Sequence, residues 1–364
     1  MRNIADTIKR LNASRTLKSS PLPRNANTRL QPMAEFGQNP GSLLAWIYIP
    51  TNFKPGSPLV VVLHGCTQTA AAYDHGSGWS DLADRYGFAL LFPEQQRSNN
   101  PNLCFNWFAA ADTTRGQGEV HSISQMVVSL THRYCLDRTN ICVTGLSAGG
   151  AMAAAMLATY PEMFKAGAII AGLPFGTASN VPEAFDRMRG HGIQEGRILA
   201  EKVRQASNHQ GPWPAVSVWH GTADRTVDPI NMEAIIGQWW HQHDLKDAPR
   251  ITSQSQRHQC RTWSDNAGIT RVEAHTISGM GHGTPIKPGA SGLGTPSVFM
   301  LDVGISSTWH IANSWNLIGE SEIPPVEVAV TSCPPGARDE STRQVNRPVR
   351  GVIEDALRAA GLMK

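Results

Sequence analysis

The sequence contains no apolar run that approaches the roughly 20 residues of a membrane-spanning helix. Its net charge is only +3, and its 32 lysines and arginines are scattered, which makes nucleic acid a poor candidate partner. The first 30 residues lack the apolar core of about 7–15 residues that a secretory signal needs. We therefore expect a protein that is either cytoplasmic or exported with its signal missing from this chain. No internal repeat or low-complexity tract is present.

The length of 364 residues allows two domains, but α/β enzymes commonly reach this size on a single sheet. We expect an N-terminal arm over 1–40, one catalytic domain over 41–318 and a C-terminal extension over 319–364 that ends in a helix at 349–363. The largest insertion spans about 172–212. An insertion between two late strands of a catalytic α/β domain can form a cap over the active site.

Short apolar runs alternate with helical patterns along the middle of the chain. This alternation predicts an α/β fold with a mostly parallel central sheet and helices on both faces. The predicted strands are Leu43–Ile49, Leu59–Leu63, Phe88–Phe92, Asn140–Thr144, Ala166–Ile170, Ala215–Trp219 and Arg271–Ile277. The predicted helices are Trp79–Tyr86, Gly118–Tyr134, Ala148–Tyr160, Val181–Met188, Glu195–Ser207 and Met232–His243.

A serine lies between a predicted strand and a predicted helix, in the pentapeptide Gly145-Leu-Ser-Ala-Gly149. The glycines give the room that a sharp strand-to-helix turn needs, so the Ser147 hydroxyl would project from the edge of the sheet. A Gly-x-Ser-x-Gly motif alone is a weak signal. With a strand before it and a helix after it, the motif predicts a nucleophilic serine.

A serine nucleophile needs a base, and the base needs an acid to hold it in the right tautomer. Asp224 follows the predicted strand that ends at Trp219, and we expect it to be the acid. His282 lies in a glycine-rich loop after the next strand, and we expect it to be the base. The order Ser, Asp, His along the chain is that of the α/β-hydrolase fold.

The tetrahedral intermediate also needs two backbone N–H groups that stabilise its oxyanion. We expect one from Ala148, which directly follows the serine at the helix N-terminus. The second should come from Cys66, in the loop after the strand Leu59–Leu63.

Seven segments between about residues 43 and 317 form a more specific pattern than the pentapeptide alone. They are His64-Gly-Cys-Thr-Gln68, Phe92-Pro-Glu-Gln95, Cys104-Phe-Asn-Trp-Phe108, Gly145-Leu-Ser-Ala-Gly-Gly150, Ala171-Gly-Leu-Pro174, Trp219-His-Gly-Thr-Ala-Asp224 and Gly279-Met-Gly-His282. Together they resemble the poly(3-hydroxybutyrate) depolymerase family of esterases. The resemblance implies the same nucleophile, acid, base and oxyanion donors. Because the family includes relatives similar to feruloyl and acetylxylan esterases, the resemblance does not decide the substrate.

The six cysteines allow fifteen complete pairings, so the sequence leaves their connectivity open. A bond between Cys66 and Cys104 would brace the oxyanion loop. The alternative is reduced, buried thiols that behave as small apolar side chains. Cys142 lies within a strand and is expected in the core. Cys66 as the nucleophile is a weaker hypothesis, because no strand, turn and helix surround it.

Ten tryptophans in a chain with five tyrosines suggest a groove for an extended, fairly apolar substrate. We expect Trp107 and Trp79 to line it, although both could instead fill the core. Gln68, in the oxyanion loop, is a third expected substrate-binding residue.

Other polar residues near the strand ends have competing interpretations. Asp228 is the main rival to Asp224, because it lies in the same loop. His64 and His220 precede glycines and should brace loops by hydrogen bonding. His275 lies on the strand itself and is therefore a less suitable candidate than His282 for the catalytic base. The cluster His241-Gln-His-Asp244 has ligand types found at metal sites, but we interpret it as a helix end.

Together these features predict a serine carboxylic-ester hydrolase that needs neither cofactor nor metal. The favoured substrate is polyhydroxyalkanoate polyester or its oligomers. The first alternative is an ester on plant cell-wall polysaccharide, of the feruloyl or acetylxylan type. The second is a catalytically silent hydrolase fold that serves as a binding protein, against which the complete Ser, Asp, His set argues. The oligomeric state stays open.

Overall fold

A computed structural model of the chain describes residues 28–255, 257–289 and 293–319. The expected C-terminal helix at 349–363, Cys333 and the arm before residue 28 lie outside the described residues. The strands of the described part are β1 (Gln31–Pro32), β2 (Leu44–Tyr48), β3 (Leu59–Leu63), β4 (Ala89–Glu94), β5 (Ile141–Leu146), β6 (Ala166–Ile170), β7 (Ala215–Gly221), β8 (Arg250–Gln254), β9 (His258–Ser264), β10 (Thr270–Ile277), β11 (Thr284–Ile286) and β12 (Met300–Asp302).

The strands β1 to β10 form one sheet in the order β1-β2-β4-β3-β5-β6-β7-β10-β9-β8. The six central strands, from β4 to β10 in that order, run parallel. Antiparallel strands extend the sheet at both ends, and β11 and β12 form a separate parallel pair. The prediction of a mostly parallel central sheet is confirmed. Since parallel strands end at one edge, the loops after β3, β5, β7 and β10 share that edge.

The helices are α1 (Ala70–Ser77), α2 (Trp79–Tyr86), α3 (Ala110–Thr113), α4 (Gly118–Tyr134), α5 (Ala148–Thr159), α6 (Val181–Met188), α7 (Gly196–Gln205), α8 (Ile230–Gln242) and α9 (Ser307–Ser314). None of the helices in the described part is long and apolar enough to cross a membrane. A short 3₁₀ turn follows α5 at Pro161–Met163.

Two apolar clusters cover the faces of the sheet. The sequence of β3 explains why both faces are covered. All five of its residues are apolar and buried, as is typical of a strand in a sheet that has helices on both faces. Leu59, Val61 and Leu63 face one cluster, whereas Val60 and Val62 face the other. The helix α5 consists almost entirely of alanine, glycine and methionine and is buried along its full length. Its small side chains allow it to lie close to the sheet directly beneath the turn that precedes it.

The insertion over 172–212 contains the two predicted helices, which pack against different parts of the domain. The second, α7, packs along α8, with Gly196 so close to Gly237 that a Cβ at residue 196 would lie 2.6 Å from the Gly237 carbonyl carbon. The first, α6, ends at Met188, whose carbonyl accepts the Asp228 N–H at 2.7 Å. The expectation that this insertion forms a cap over the active site stays a prediction.

The described end of the arm is part of the sheet. Residues 31–32 form β1 and pair with β2, and the side chains of Leu30 and Met33 are buried. Residues 30–33 thus pack on the sheet of the catalytic domain, although they precede the boundary expected at residue 40, which stays a prediction.

Candidate active site

Ser147 lies at the turn between β5 and α5, as expected. Its backbone has φ 57° and ψ −117°, a conformation that a residue with a Cβ rarely adopts. The Ser147 N–H donates to the Ile170 carbonyl at 2.8 Å, and its carbonyl accepts from the Ala151 N–H at 2.9 Å. These bonds hold the strained residue in place on both sides. A strained non-glycine residue held by its surroundings is typical of a functional site.

Both glycines of the pentapeptide lie so close to neighbouring backbone atoms that a larger residue would not fit. A Cβ at Gly145 would lie 2.3 Å from the Gly149 carbonyl oxygen. A Cβ at Gly149 would lie 2.4 Å from the carbonyl oxygens of Leu63 and His64, at the end of β3. Both distances are shorter than real Cβ contacts. The turn thus brings the start of α5 directly against the loop that follows β3.

His282 and Asp224 contact each other after β10 and β7. The His282 Nδ1 lies 2.7 Å from the Asp224 Oδ2, and both side chains are buried. The other Asp224 oxygen accepts the N–H groups of Thr226 and Val227 at 2.8 and 3.0 Å. Because Asp224 accepts all these bonds, the Nδ1 of His282 is the donor. This tautomer leaves its Nε2 free to accept a proton.

Burial alone would raise the pKa of the Asp224 carboxyl. The adjacent imidazoles of His282 and His220 reverse this effect and hold that pKa well below its usual range. Asp224 therefore stays ionised at neutral pH and stabilises a positive charge on His282.

Asp228 is exposed and lies away from this pair. One of its carboxylate oxygens accepts the N–H of Ile230 at 3.0 Å, where α8 begins. It therefore acts as a cap for that helix, and the structure brings Asp224 rather than Asp228 to His282.

The two histidines at the strand ends brace loops, as expected. Gln95 N–H donates to His64 Nε2 at 3.1 Å, so the protonated Nδ1 donates to the Gly65 carbonyl at 2.8 Å. Burial lowers the pKa of His64 to about 4, which keeps it neutral. The Nε2 of His220 lies 2.9 Å from the Val227 carbonyl oxygen and anchors the loop that carries the aspartate.

A disulfide joins Cys66 to Cys104, with a Cα–Cα distance of 4.2 Å. It links the loop after β3 to the loop after β4, and it excludes Cys66 as a free nucleophile. On the C-terminal side of Cys66, the Thr67 N–H donates to the Asn102 carbonyl at 2.7 Å. The loop that carries the Cys66 amide is thereby held on the loop after β4.

Gln68 helps to brace the same loop. Its side-chain oxygen accepts the Gly65 N–H at 2.8 Å, and the residue is buried. The oxygen thus closes the turn, so only the side-chain nitrogen is left for the expected substrate contact, which stays a prediction.

The expectation that Trp79 lines a substrate groove is wrong. This residue is 1% exposed, and its ring stacks on Trp315 and meets the edge of Phe88 with centroid distances of 6.2 and 6.3 Å. This tryptophan fills the core and cannot line a groove. Trp107 is 9% exposed and packs edge-on against Phe108, in the same apolar cluster as Ala148. Of these two tryptophans, Trp107 is the one that keeps some exposed surface, and its role in a substrate groove stays a prediction.

One buried acid that the sequence analysis missed supports the Trp107 loop. Glu119, at the start of α4, accepts the Gln95 side-chain N–H at 2.6 Å and both the backbone and side-chain N–H groups of Asn106 at 2.9 Å. Burial and the neighbouring Asp112 raise the pKa of Glu119 to about 8, against the effect of these bonds. Its position in the first turn of a helix, where acids are common, gave no signal of this role.

The sequence matches the model of a family described as Esterase PHB depolymerase over residues 45–259. It is 40% identical over 293 residues to a poly(3-hydroxyalkanoate) depolymerase C of Paucimonas lemoignei, covering 80% of this chain and 70% of that protein. It is 33% identical over 272 residues to an acetylxylan esterase of Coprinopsis cinerea, covering 73% of this chain and 72% of that protein. Among solved structures, an acetyl xylan esterase from Aspergillus awamori has the same fold, with a TM-score of 0.68 and 24% identity over 79% of this chain and 99% of that one.

Proposed function

Because this chain belongs to the PHB depolymerase family of esterases, we propose that it hydrolyses polyhydroxyalkanoate polyester or its oligomers through an acyl-enzyme on Ser147. The chain is a carboxylic-ester hydrolase of the α/β-hydrolase fold. The 40% identity to a relative named a poly(3-hydroxyalkanoate) depolymerase supports the substrate class. The observation that carries the catalytic part is the contact of 2.7 Å between His282 and Asp224, at the sheet edge that also presents Ser147.

In the first half of the cycle, the His282 Nε2 takes the proton of the Ser147 hydroxyl as its oxygen attacks the ester carbonyl carbon. Asp224, ionised and bonded to the other ring nitrogen, stabilises the imidazolium that forms. The ester C–O bond then breaks, and the imidazolium gives its proton to the departing alcohol. In the second half, His282 takes a proton from water, the hydroxide attacks the acyl-enzyme, and Ser147 regains its proton as the acid leaves.

The oxyanion of each tetrahedral intermediate accepts the N–H groups of Cys66 and Ala148. Three observations support this assignment. Ala148 begins α5 directly after the serine, the glycine contact draws that turn onto the end of β3, and the disulfide holds the Cys66 loop rigidly. No cofactor or metal takes part in these steps.

A substrate panel tests the proposal. The full chain is assayed with poly(3-hydroxybutyrate) film, short 3-hydroxybutyrate oligomers, acetylated xylan, a feruloylated sugar and p-nitrophenyl acetate. We expect the polyester or its oligomers to have the highest kcat/KM among the natural esters. Ser147→Ala should lower kcat on all of them by at least about 10³-fold without loss of the fold. Stoichiometric labelling of that variant by a fluorophosphonate would show that the nucleophile is another serine.

The second candidate function is removal of acetyl groups from xylan. The relatives at 30–33% identity that are named acetylxylan esterases, established or probable, favour it. A rate on acetylated xylan above that on film and oligomers would make this the better assignment. Feruloyl esters are included because they require a larger acyl pocket than acetate.

A substitution of Trp107 should affect the hydrolysis of long substrates more than that of short ones. A polymer gains from contacts over several repeat units, whereas p-nitrophenyl acetate uses only the pocket beside the serine. Trp107→Phe keeps most of the buried volume, so we expect a loss of kcat/KM on film or long oligomers and a nearly unchanged rate on p-nitrophenyl acetate. Equal losses on both would mean that Trp107 only supports the fold. The thermal midpoint of the variant serves as the control for packing.

A further inference from the structure

The proposed reaction does not use a group of side chains on β9 and β10, which combines a thiol, a carboxylate and an imidazole. Cys260 lies directly opposite His275 in the antiparallel register of these strands. Glu273 precedes His275 by two residues and so lies on the same face of the sheet. Cys260 and His275 are buried, and Glu273 is half-buried. The group is thus fixed by the pairing of two strands, which are rigid elements.

The distances within this group match those between the ligands of a tetrahedral zinc ion. Cys260 Sγ lies 3.6 Å from a Glu273 oxygen and 3.8 Å from His275 Nε2. The other Glu273 oxygen lies 3.2 Å from the same nitrogen. Zinc bonds of about 2.3 Å to sulfur and about 2.0–2.2 Å to nitrogen and oxygen, at tetrahedral angles, separate ligand atoms by about 3.4–3.6 Å. The sulfur and the nitrogen contact different oxygens of the carboxylate, but one ligand atom from each of the three residues lies within 4.8 Å of the other two. A rotation of the Glu273 carboxylate with small shifts of its neighbours would bring one oxygen, the sulfur and the nitrogen onto one ion.

The neighbours of His275 orient its ring for such a role. Its Nδ1 lies 2.9 Å from the Nε2 of His258, and its Nε2 lies 3.2 Å from a Glu273 carboxylate oxygen that can accept its proton. When a metal ion takes the Nε2 lone pair, the ring proton lies on Nδ1 and donates to His258 Nε2 instead. The indole of Trp219, directly opposite on β7, stacks on the imidazole with 3.6 Å between ring centroids and 3° between planes. Histidines that bind metals almost always have their second nitrogen fixed by a hydrogen bond.

We propose that Cys260, Glu273 and His275 bind one zinc ion through Sγ, a carboxylate oxygen and Nε2, with water as the fourth ligand. A mixed set of sulfur, nitrogen and oxygen donors is one that zinc accepts and that magnesium and calcium do not prefer. On binding, the thiol proton passes to the solvent and a Zn–S bond forms. The ion ties β9 to β10, and β10 leads directly into the loop that carries His282.

Zinc loading of the full-length, untagged chain tests the site. The protein is treated with a chelator without reductant, dialysed against Zn²⁺, and its metal content and native mass are measured. We expect one zinc ion per chain in the wild type. Cys135→Ser removes an exposed free thiol outside the site and is the matched control, which should bind equally. Cys260→Ser and Glu273→Gln should each bind at least about tenfold more weakly, and His258→Gln about 10–100-fold more weakly.

A spectroscopic measurement checks the ligands. With Co²⁺ in place of Zn²⁺, the wild type and Cys135→Ser should show a thiolate-to-cobalt charge-transfer band in the near ultraviolet, and Cys260→Ser should not. If Cys260→Ser does not fold, Glu273→Gln, which changes a partly exposed side chain without altering its size, decides the question by its zinc affinity. Zinc bound equally by both variants and the wild type would place the ion elsewhere. Failure of the folded wild type to bind zinc would show that the group is only a hydrogen-bonded network, and both results overturn the proposal.

The outcome is independent of the esterase mechanism. Ser147→Ala should bind zinc as the wild type does, because residue 147 lies on another strand end and touches none of the three ligands. Loss of zinc therefore reports on this site, and loss of hydrolysis in Ser147→Ala reports on the proposed function.

Discussion

Replacing Ser147 by glycine should stabilise the protein relative to replacing it by alanine. Both variants remove the hydroxyl, so neither can form an acyl-enzyme. They differ in the backbone conformation that they tolerate at φ 57° and ψ −117°. Alanine keeps the Cβ that makes this conformation unfavourable, whereas glycine adopts it freely.

The size of the difference follows from two opposing effects. A non-glycine residue in so sparsely populated a region costs about 1–3 kcal/mol. Glycine removes this strain but gives the unfolded chain more freedom, which costs about 0.5–1 kcal/mol. We therefore expect Ser147→Gly to be more stable than Ser147→Ala by about 1 kcal/mol. This sign is the reverse of the usual one, because glycine normally destabilises.

The assay is urea unfolding of both variants, followed by tryptophan fluorescence and circular dichroism at the same pH. Ser124 provides the matched control, since it is buried within α4 and has ordinary helical backbone. There Ser124→Gly should be less stable than Ser124→Ala by about 1 kcal/mol. A Ser147→Gly variant that loses stability relative to Ser147→Ala, as at the control position, would refute the argument that strain is stored at the turn.

Three further outcomes follow from the site. Asp224→Asn should lower kcat by about 10³–10⁴-fold because His282 loses its charged partner, whereas Asp228→Asn should retain nearly full activity; an equal loss in both would contradict this assignment. Replacing Cys66 and Cys104 together by alanine should lower the free energy of unfolding by about 2–4 kcal/mol and reduce kcat more than it raises KM, as steady-state kinetics would show. Burial lowers the pKa of His64 to about 4, whereas in the unfolded chain the same imidazole binds a proton with its usual pKa of 6.5. The unfolded state therefore holds more protons between these values, and stability should fall with falling pH there, by about 1.4 kcal/mol per unit from this residue; a urea midpoint that stays flat from pH 6.5 to 4 would disprove it.

The sequence predicted the part of the site that depends on local pattern. Ser147, Asp224 and His282 each follow an apolar run and each lies in a glycine-containing loop, so the strand ends could be recognised without knowing the neighbours. The parallel order of the central strands then brings the three loops to one edge. Since α/β folds place ligand sites at this edge, local pattern and topology together were sufficient to predict that these residues lie at one edge, whereas their catalytic roles stay a proposal.

The contacts that depend on side-chain direction could not be predicted in this way. Trp79 follows the oxyanion loop closely in sequence, but its helix turns the indole into the core. Gln68 lies in the loop itself, yet its amide closes the turn. The group around Cys260 was missed for a different reason: it depends on the register between β9 and β10. The edge strand β8 was missed because all its residues are exposed, so it has no apolar pattern.

The parallel pairing of β10 with β7 has a consequence for how the chain acquires activity. Asp224 and His282 are separated by 58 residues, and their contact exists only when the last parallel strand has joined the sheet. Long-range pairing of parallel strands is slow, because a long loop must close before it gains contacts. In the proposed mechanism, a chain still emerging from the ribosome, or one truncated before β10, therefore has its serine turn without the base. We expect such a chain to be inactive until nearly the whole domain has been synthesised, so that hydrolytic activity would report completed folding.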